Sequence, residues 1–501
     1  MLVSKTTFLE FLMCPKNIWL KLHKPELLDM FSLSPFELQL VEQGNEVEAY
    51  ARGLFPGGVE VTATGDEAVR ETERLILAKA PAIFQATFVV DGFITKVDVL
   101  ARDNTDRYWN IYEIKGTNSI IEEGTERSHI DDLAFQASVL KRANIAVGKY
   151  FLIHLNKEYV RVGDLELDKM FLVEDMSEKI TARLTQIEDQ MDAAREYLAR
   201  EKEPPGGCDC IYAGRSSHCS TFKYSNPNVP EYSIHDLARI GNSKKKLSMM
   251  VERKILDVND VPADIELSEI QTNQLLVHRT QTPIIDIDRI RDELELLTFP
   301  LYFLDYETFA PAIPMFNGYS PYNRIPFQFS LHILRDPSVE PEHVEYLHEM
   351  ASDPSEPLVD LLTKSIGSIG NVISWNKSFE QGVNRELAAH VPSHRAALER
   401  INEQMYDLKD IFHKQYYVHP EFRGKTSIKK VLPALAPDLS YGNLNIHEGG
   451  QASDAWWKMI SPTISESESK QIATDLKIYC GLDTYAMYVI WKHLYELAVG
   501  A

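Results

Sequence analysis

Two stretches of this chain share one texture: three short apolar runs of strand type, then a helical pattern, then one more apolar run. In the first, residues 86–101 read as two strands around the Asp91-Gly92 turn and 107–115 as a third. A helix is expected over 129–143 and a strand over 149–155. The second stretch begins at Phe299, with strands at 301–307, 326–334 and 343–350, a helix at 357–369 and a strand at 371–375. Such an order predicts a mixed sheet flanked by helices, so the fold class is α/β with two separate units. Helical patterns at 7–22 and 35–51 precede the first stretch, and a long one at 177–200 follows it. Between the units, 225–298 is polar and helical, with a Lys244-Lys245-Lys246 run, and reads as a connector. A final helix is expected over 470–497.

Composition limits the function classes. The 501 residues suffice for two to four domains, and 44% of them are hydrophobic, as in ordinary globular chains. No apolar run approaches the ~18 residues of a membrane helix. The first residues are polar where a signal peptide needs its apolar stretch, so a cytoplasmic location is expected. Lys and Arg number 52 against 74 Asp and Glu, a formal charge of −22. That balance argues against a broad basic surface coating long nucleic acid. It is compatible with a local groove, or with carboxylate sites whose charge bound cations offset. Five cysteines are too few for a disulfide scaffold, yet three of them crowd between Cys208 and Cys219.

In the first unit, Asp98 lies on one expected strand and Glu113 and Lys115 on the next. Glu113 and Lys115 are two apart and share a face. Two carboxylates and an ammonium on one sheet face suit phosphodiester hydrolysis: the acids hold Mg²⁺ or Mn²⁺, and the lysine orients or helps deprotonate the attacking water. Taken alone, such a triplet also occurs on solvated strand faces. With its surroundings it resembles the PD-(D/E)xK nuclease superfamily, in its RecB-like branch, over roughly 1–222. That resemblance implies a restriction-endonuclease-like fold. The helix carrying Gln43-Gly44-Asn45-Glu46-Val47-Glu48 matches the branch's Gly-x-x-x-His motif, with Glu48 where a metal-ligating histidine often stands; Glu48 rather than Glu46 is the implied ligand. Gln136 matches the Gln-x-x-x-Tyr motif, with Leu140 in place of the tyrosine.

Cys14 precedes Pro15, and the late trio is Cys208, Cys210 and Cys219. Four thiolates from both ends of one domain can hold an iron–sulfur cluster, with zinc the lesser alternative. One early Cys-Pro and a late trio is also the arrangement of iron–sulfur RecB-like nucleases, which implies a 4Fe-4S cluster clipping the two ends together. One residue separates Cys208 from Cys210 and eight separate Cys210 from Cys219, where that group usually shows two and five. His218 is a possible substitute ligand.

In the second unit, Asp305 and Glu307 are two apart on one strand, Glu380 opens a helix after Asn376 and Phe379, and Tyr479 and Asp483 lie one turn apart on the last helix. Four carboxylates meeting on two divalent ions about 4 Å apart form the clamp for in-line phosphodiester cleavage, and Tyr479 would orient the water. This set resembles a DEDD exonuclease of the tyrosine subclass, with an RNase H-like fold, over about 298–501. Glu380 stands where that family has aspartate; Asp407 and Asp410 are alternative acids. Lys425, Lys429 and Lys430 read equally well as phosphate-binding or as a solvated face.

Together the halves resemble an uncharacterised bacterial family fusing an iron–sulfur RecB-like nuclease (1–222), through a helical connector (223–297), to a DEDD exonuclease-like domain (298–501). The implied function is metal-dependent hydrolysis of DNA, single-stranded or at ends, with 3′-to-5′ removal by the second site. Two alternatives stay open: a phosphodiesterase on RNA or short oligonucleotides, and a nucleic-acid-binding scaffold with vestigial sites. No membrane partner is expected, and protein partners are unspecified.

Overall fold

The computed structural model describes residues 1–122 and 128–499. The chain divides into two units, Met1–Pro230 with Pro311–Tyr322, and Glu231–Ala310 with Asn323–Ala501. Both are mixed α/β.

The sheet of the first unit runs in the order Val59–Glu60, Ala82–Val90, Phe93–Arg102, Trp109–Lys115, Val147–Leu155, Phe171–Asp175, with Val3–Ser4 pairing alongside Phe93–Arg102. Ala82–Val90, Phe93–Arg102 and Trp109–Lys115 form an antiparallel meander, and Val147–Leu155 then joins in parallel after the helix His129–Arg142. Asp91 and Gly92 make the first hairpin with φ of 50° and 84°, the left-handed pair a two-residue turn requires. His129–Arg142 and Ser177–Leu198 pack in one apolar cluster with Ile83, Phe93 and Leu100. The helix Pro35–Ala51 brings Val47 and Ala51 into another with Phe84, Val99 and Ile153.

The single helix expected over 7–22 is two, Lys5–Met13 and Pro15–His23. Pro15 has no N–H to continue the first helix, and its ring pushes the preceding residue out of the helical region. Cys14 accordingly sits extended at φ −157°, ψ 97°, in the corner between the helices.

The second unit carries a sheet in the order Glu342–Leu347, Ile325–Leu334, Leu301–Phe309, Asn371–Ser374, Met405–Asp407. The first three strands are antiparallel neighbours; Asn371–Ser374 pairs parallel with both Leu301–Phe309 and Met405–Asp407. The helix Lys377–His390 follows the fourth strand, and the 34-residue helix Glu466–Val499 packs on the central strands.

The stretch expected as a connector is divided at residue 230, and its larger part counts with the second unit. It has an apolar cluster of its own, with Ile234, Leu247, Met250, Val258 and Leu275, and so is a packed element rather than a tether. Conversely, Pro311–Tyr322, sequentially inside the second stretch, counts with the first unit: Arg161 donates to Pro314 O and Met315 O, and Ala312 N to Gln43 Oε1. The last two residues of the expected 298–501 region lie outside the described residues. Among the described residues, no helix is long and apolar enough to cross a membrane.

Candidate functional site

Three constellations emerge, two in the first unit. Pairing of Val99 with Tyr112 brings Asp98 alongside the Glu113 strand, and Asp98 Oδ2 accepts from Ile114 N at 2.9 Å. Glu113 is 1% exposed, and Lys115, on the same face, donates to its Oε1 at 2.8 Å and to Asp132. Lys5, at the start of the first helix, reaches the same Oε1 at 2.6 Å and Asp132 Oδ1 at 3.1 Å. The Gln136 amide donates to both Glu113 and Asp132, leaving its own buried Oε1 without a hydrogen-bond partner among the described residues. Burial raises the Glu113 pKa, but Lys115 and Lys5 outweigh it and hold the carboxyl below its usual range. Asp98 goes the other way: burial first, then the Glu113 charge, push it well above the usual range.

Glu48 is half-buried, acts electrostatically on Asp98, and accepts from Arg52 at 2.7 Å and from Gln85. Glu46 is exposed. Leu140, at the motif's tyrosine position, is fully buried in the apolar cluster, so it offers nothing to a ligand. Sequence reasoning missed Lys5 and Asp132. Asp132 had a readable signal, since it lies one turn before Gln136 on the same helix. Lys5 had none, because only the pairing of Val3–Ser4 with Phe93–Ile94 carries it to the sheet. Both ammoniums engage Glu113 Oε1, so a divalent ion binding at that oxygen competes with them. Lys5→Met is expected to cost about 3 kcal/mol, because it strips a partner from a buried carboxylate. Urea denaturation checks this.

The cysteines form the second constellation. Sγ atoms of Cys14, Cys208, Cys210 and Cys219 all lie within 4.8 Å of one another, with Cys208 and Cys219 3.7 Å apart. Residues beside Cys14 stitch the ends together. Lys16 Nζ donates to Pro204 O at 3.2 Å and to Gly206 O, Trp19 Nε1 to Arg200 O at 2.9 Å, and Thr221 N to Asn17 Oδ1 at 3.1 Å. His218 stands outside the set, stacked on Phe222. Four thiols at this spacing can hold a thiophilic metal. A metal–sulfur bond of ~2.3 Å puts the corners of a tetrahedron about 3.8 Å apart, so the spacing suits a single ion. A 4Fe-4S cube stands between its thiolates and needs them farther apart than this.

The third constellation lies in the second unit. Asp305 and Glu307 sit on the central strand, Glu307 buried. Glu466–Val499 packs against that strand and delivers Tyr479, Cys480 and Asp483, all buried. Ligand atoms of Asp305, Glu307 and Cys480 lie within 4.8 Å of one another. Asp483 accepts from Tyr441 OH at 2.6 Å, and Lys429 Nζ donates to Tyr479 OH at 3.3 Å while lying over both tyrosine rings. Glu380, 3% exposed, has an Oε2 with no hydrogen-bond partner among the described residues.

The charges of the other acids act on Asp305. Asp305 is pushed well above the carboxylate range by burial, then by Asp483, Glu307 and Glu380. Glu307 is raised by burial and Asp483, against Lys429. Burial pushes Asp483 up to about 6 and Glu380 up to about 8. Such a set of oxygen donors, short of positive charge, fits divalent cations.

The alternative acids belong to the scaffold. Asp407 accepts from the backbone N–H of Asn376, Lys377 and Lys409, at 3.1, 3.0 and 3.2 Å. It thereby fixes Asn376, whose φ of 114° is strained for a side-chain-bearing residue, at the entrance to the Glu380 helix. Asp410 pairs with Lys414 at 3.8 Å. Of the three lysines, Lys429 reaches the site and Lys425 and Lys430 are exposed. Tyr441 was not legible in sequence, being part of a short irregular turn.

A family model described as Domain of unknown function (DUF2779) matches residues 302–427, which hold Asp305, Glu307 and Glu380. The chain is also similar to an uncharacterized protein of Ureaplasma parvum, 28% identical over 291 residues, 52% of this chain and 41% of the relative. An uncharacterized protein of Mycoplasma genitalium is 25% identical over 213 residues, 39% of this chain and 32% of the relative. Its Mycoplasma pneumoniae homolog is 26% identical over 206 residues, 38% and 31%. The matched regions span less than half the length of these relatives.

Proposed function

We propose that the second unit is a divalent-metal-dependent phosphodiesterase of the DEDD exonuclease type, trimming nucleic acid, DNA foremost, from its 3′ end. The observation that carries this reading is the set of acids Asp305, Glu307, Glu380 and Asp483, in which the charges of the other three raise the proton affinity of buried Asp305, and Asp483 raises that of Glu307. The sheet supports it, with three antiparallel strands extended by two parallel ones, the order expected of an RNase H-like fold. The four carboxylates would hold Mg²⁺ or Mn²⁺, which when bound polarises the phosphoryl oxygens and lowers the pKa of water. Tyr479 is placed to orient the attacking water through its hydroxyl. Lys429 holds that hydroxyl and keeps a positive charge beside the acids, where it can receive a phosphate oxygen.

End-labelled single and double strands, incubated with Mg²⁺ or Mn²⁺, test the reading: stepwise shortening from the 3′ end is the expected product pattern. Rates on dinucleotides against long strands separate an oligonucleotide phosphodiesterase, which the charge of −22 suits. Ion affinity depends on pH in a defined direction. Asp483 and Glu380 must shed protons at about 6 and about 8 to bind, so Mn²⁺ affinity is expected to rise across that interval. Without the ion the sign reverses. A carboxyl whose folded pKa is raised contributes stability below its unfolded pKa and loses it as pH climbs through the folded value. The metal-free unit is therefore expected to melt lower at pH 9 than at pH 6, by on the order of 3 kcal/mol, with Glu380→Gln flattening the change. Calorimetry measures both.

The first unit is proposed as a RecB-like PD-(D/E)xK site, with Asp98, Glu113 and Glu48 toward the metal and Lys115 toward the scissile phosphate. A second reading has a specific observation behind it: Lys5 and Lys115 together close the Glu113–Asp132 pair, as a vestigial, scaffold-like site would. Mg²⁺-dependent cleavage that survives loss of the second site but not Asp98→Ala separates the two. The four cysteines are proposed to hold a metal centre clipping 14 to 208–219. The resemblance points to 4Fe-4S and the sulfur spacing to one tetrahedral ion. Iron, sulfide and zinc content decide between them.

A further inference from the structure

The last cysteine of the chain is the feature the proposed chemistry leaves unused. Cys480 is fully buried on the helix that carries Tyr479 and Asp483, yet its sulfur faces carboxylate oxygens. Cys480 Sγ stands 3.9 Å from Asp305 Oδ2, and the sulfur, an Asp305 oxygen and a Glu307 oxygen lie within 4.8 Å of one another. A buried thiol normally behaves as a small hydrophobe among apolar neighbours. Glu380, 3% exposed and with an Oε2 that has no hydrogen-bond partner among the described residues, acts by its charge on Asp305. The site thus gathers hard oxygen donors and one soft sulfur donor.

We propose that Cys480 is a metal ligand of the second unit, completing with Asp305 and Glu307 a mixed oxygen–sulfur position, one of the two ion positions of the site, that takes a borderline-soft transition ion of the Zn²⁺ class more tightly than Mg²⁺ while the site still accepts Mg²⁺ or Mn²⁺. The inference rests on the reading of this unit as a metal site and names the class of ion it takes. Soft thiolate ligation favours Zn²⁺, Co²⁺ and Cd²⁺, whereas Mg²⁺ demands oxygen ligands in near-ideal octahedral geometry. On binding, the thiol proton leaves to solvent and the sulfur bonds the ion. No electron transfer is involved.

The test uses the full chain as purified, with the four-cysteine centre left as it is, and Co²⁺ and Zn²⁺ as probes. Wild type is compared with Cys480→Ser, Cys480→Ala and Asp305→Asn. Expected is a sulfur-to-cobalt charge-transfer band in wild type over and above that of the four-cysteine centre, read as the difference spectrum against each Cys480 variant. Their Zn²⁺ affinity should fall about tenfold or more while Mn²⁺ affinity changes little. Two variants of different polarity guard against a folding defect in either one. An unchanged band and unchanged Zn²⁺ affinity in both Cys480 variants, with Asp305→Asn abolishing Mn²⁺ and Zn²⁺ binding, would overturn the sulfur ligand and leave the metal site standing. Divalent-ion binding untouched by Asp305→Asn overturns the metal site, and the inference with it.

Discussion

Asp305→Asn is expected to remove Mn²⁺ binding from the second unit and to slow nucleotide release by on the order of a thousandfold, while making the metal-free protein more stable. The two effects share one cause. Asp305 is at the centre of the repulsion: burial and the charges of Asp483, Glu307 and Glu380 all act against its ionised form. A neutral amide of the same shape removes that repulsion, a gain of about 1–2 kcal/mol at pH 8, and with it the charge that attracts the cation. A structural carboxylate would behave oppositely, since its replacement destabilises. Denaturation of the metal-free protein, set beside metal titration and 3′-end release, reads all three quantities. Stability falling with activity unchanged would dismiss the catalytic reading.

Cys14→Ser is expected to empty the metal centre of the first unit and to cost its fold on the order of 5 kcal/mol. The argument is topological. Cys14 lies in the corner between the first two helices, and its partners lie near residue 208 and beyond. A metal joining them closes a loop of nearly the whole unit, and its binding free energy becomes folding free energy. The hydrogen bonds of Lys16, Asn17 and Trp19 to the late segment would persist, so the helix Pro15–His23 should stay docked while the stretch around Cys208–Cys219 loosens. Metal analysis, the absorption spectrum and hydrogen exchange over 208–219 report on each step. Full metal content and unchanged protection in the variant would show that the four thiols are not its ligands.

The candidate sites were legible in sequence to the extent that each depended on local geometry. Glu113 and Lys115 face one way because a strand alternates, and Tyr479 and Asp483 because a helix turns every 3.6 residues. Spacing could therefore place these pairs on one face, while naming them, with Asp98, Glu48 and Glu380, as site acids took the resemblance to nuclease motifs. Lys5, Tyr441 and Cys480 could not, because each is delivered by packing between segments far apart in the chain. Lys5 arrives through a two-residue strand too short to carry a pattern, and Tyr441 through a turn without period. Asp407 shows the converse. Its sequence context suited a ligand, but its oxygens are taken by three backbone N–H groups that only the folded loop presents.

By itself the sequence determined two α/β units, the strands and helices that bear the acids, and the pairing of an early Cys-Pro with a late cysteine trio. The units and their elements follow from periodicity, turn chemistry and residue type, all short-range; the cysteine pairing rested on residue type and the resemblance. Only the tertiary structure decided which charges neighbour which: that two lysines close on Glu113, that Lys429 stands beside the acids around Asp305, and that a sulfur joins them. Such facts arise from long-range packing, where burial strengthens every electrostatic interaction and no local pattern records the partner.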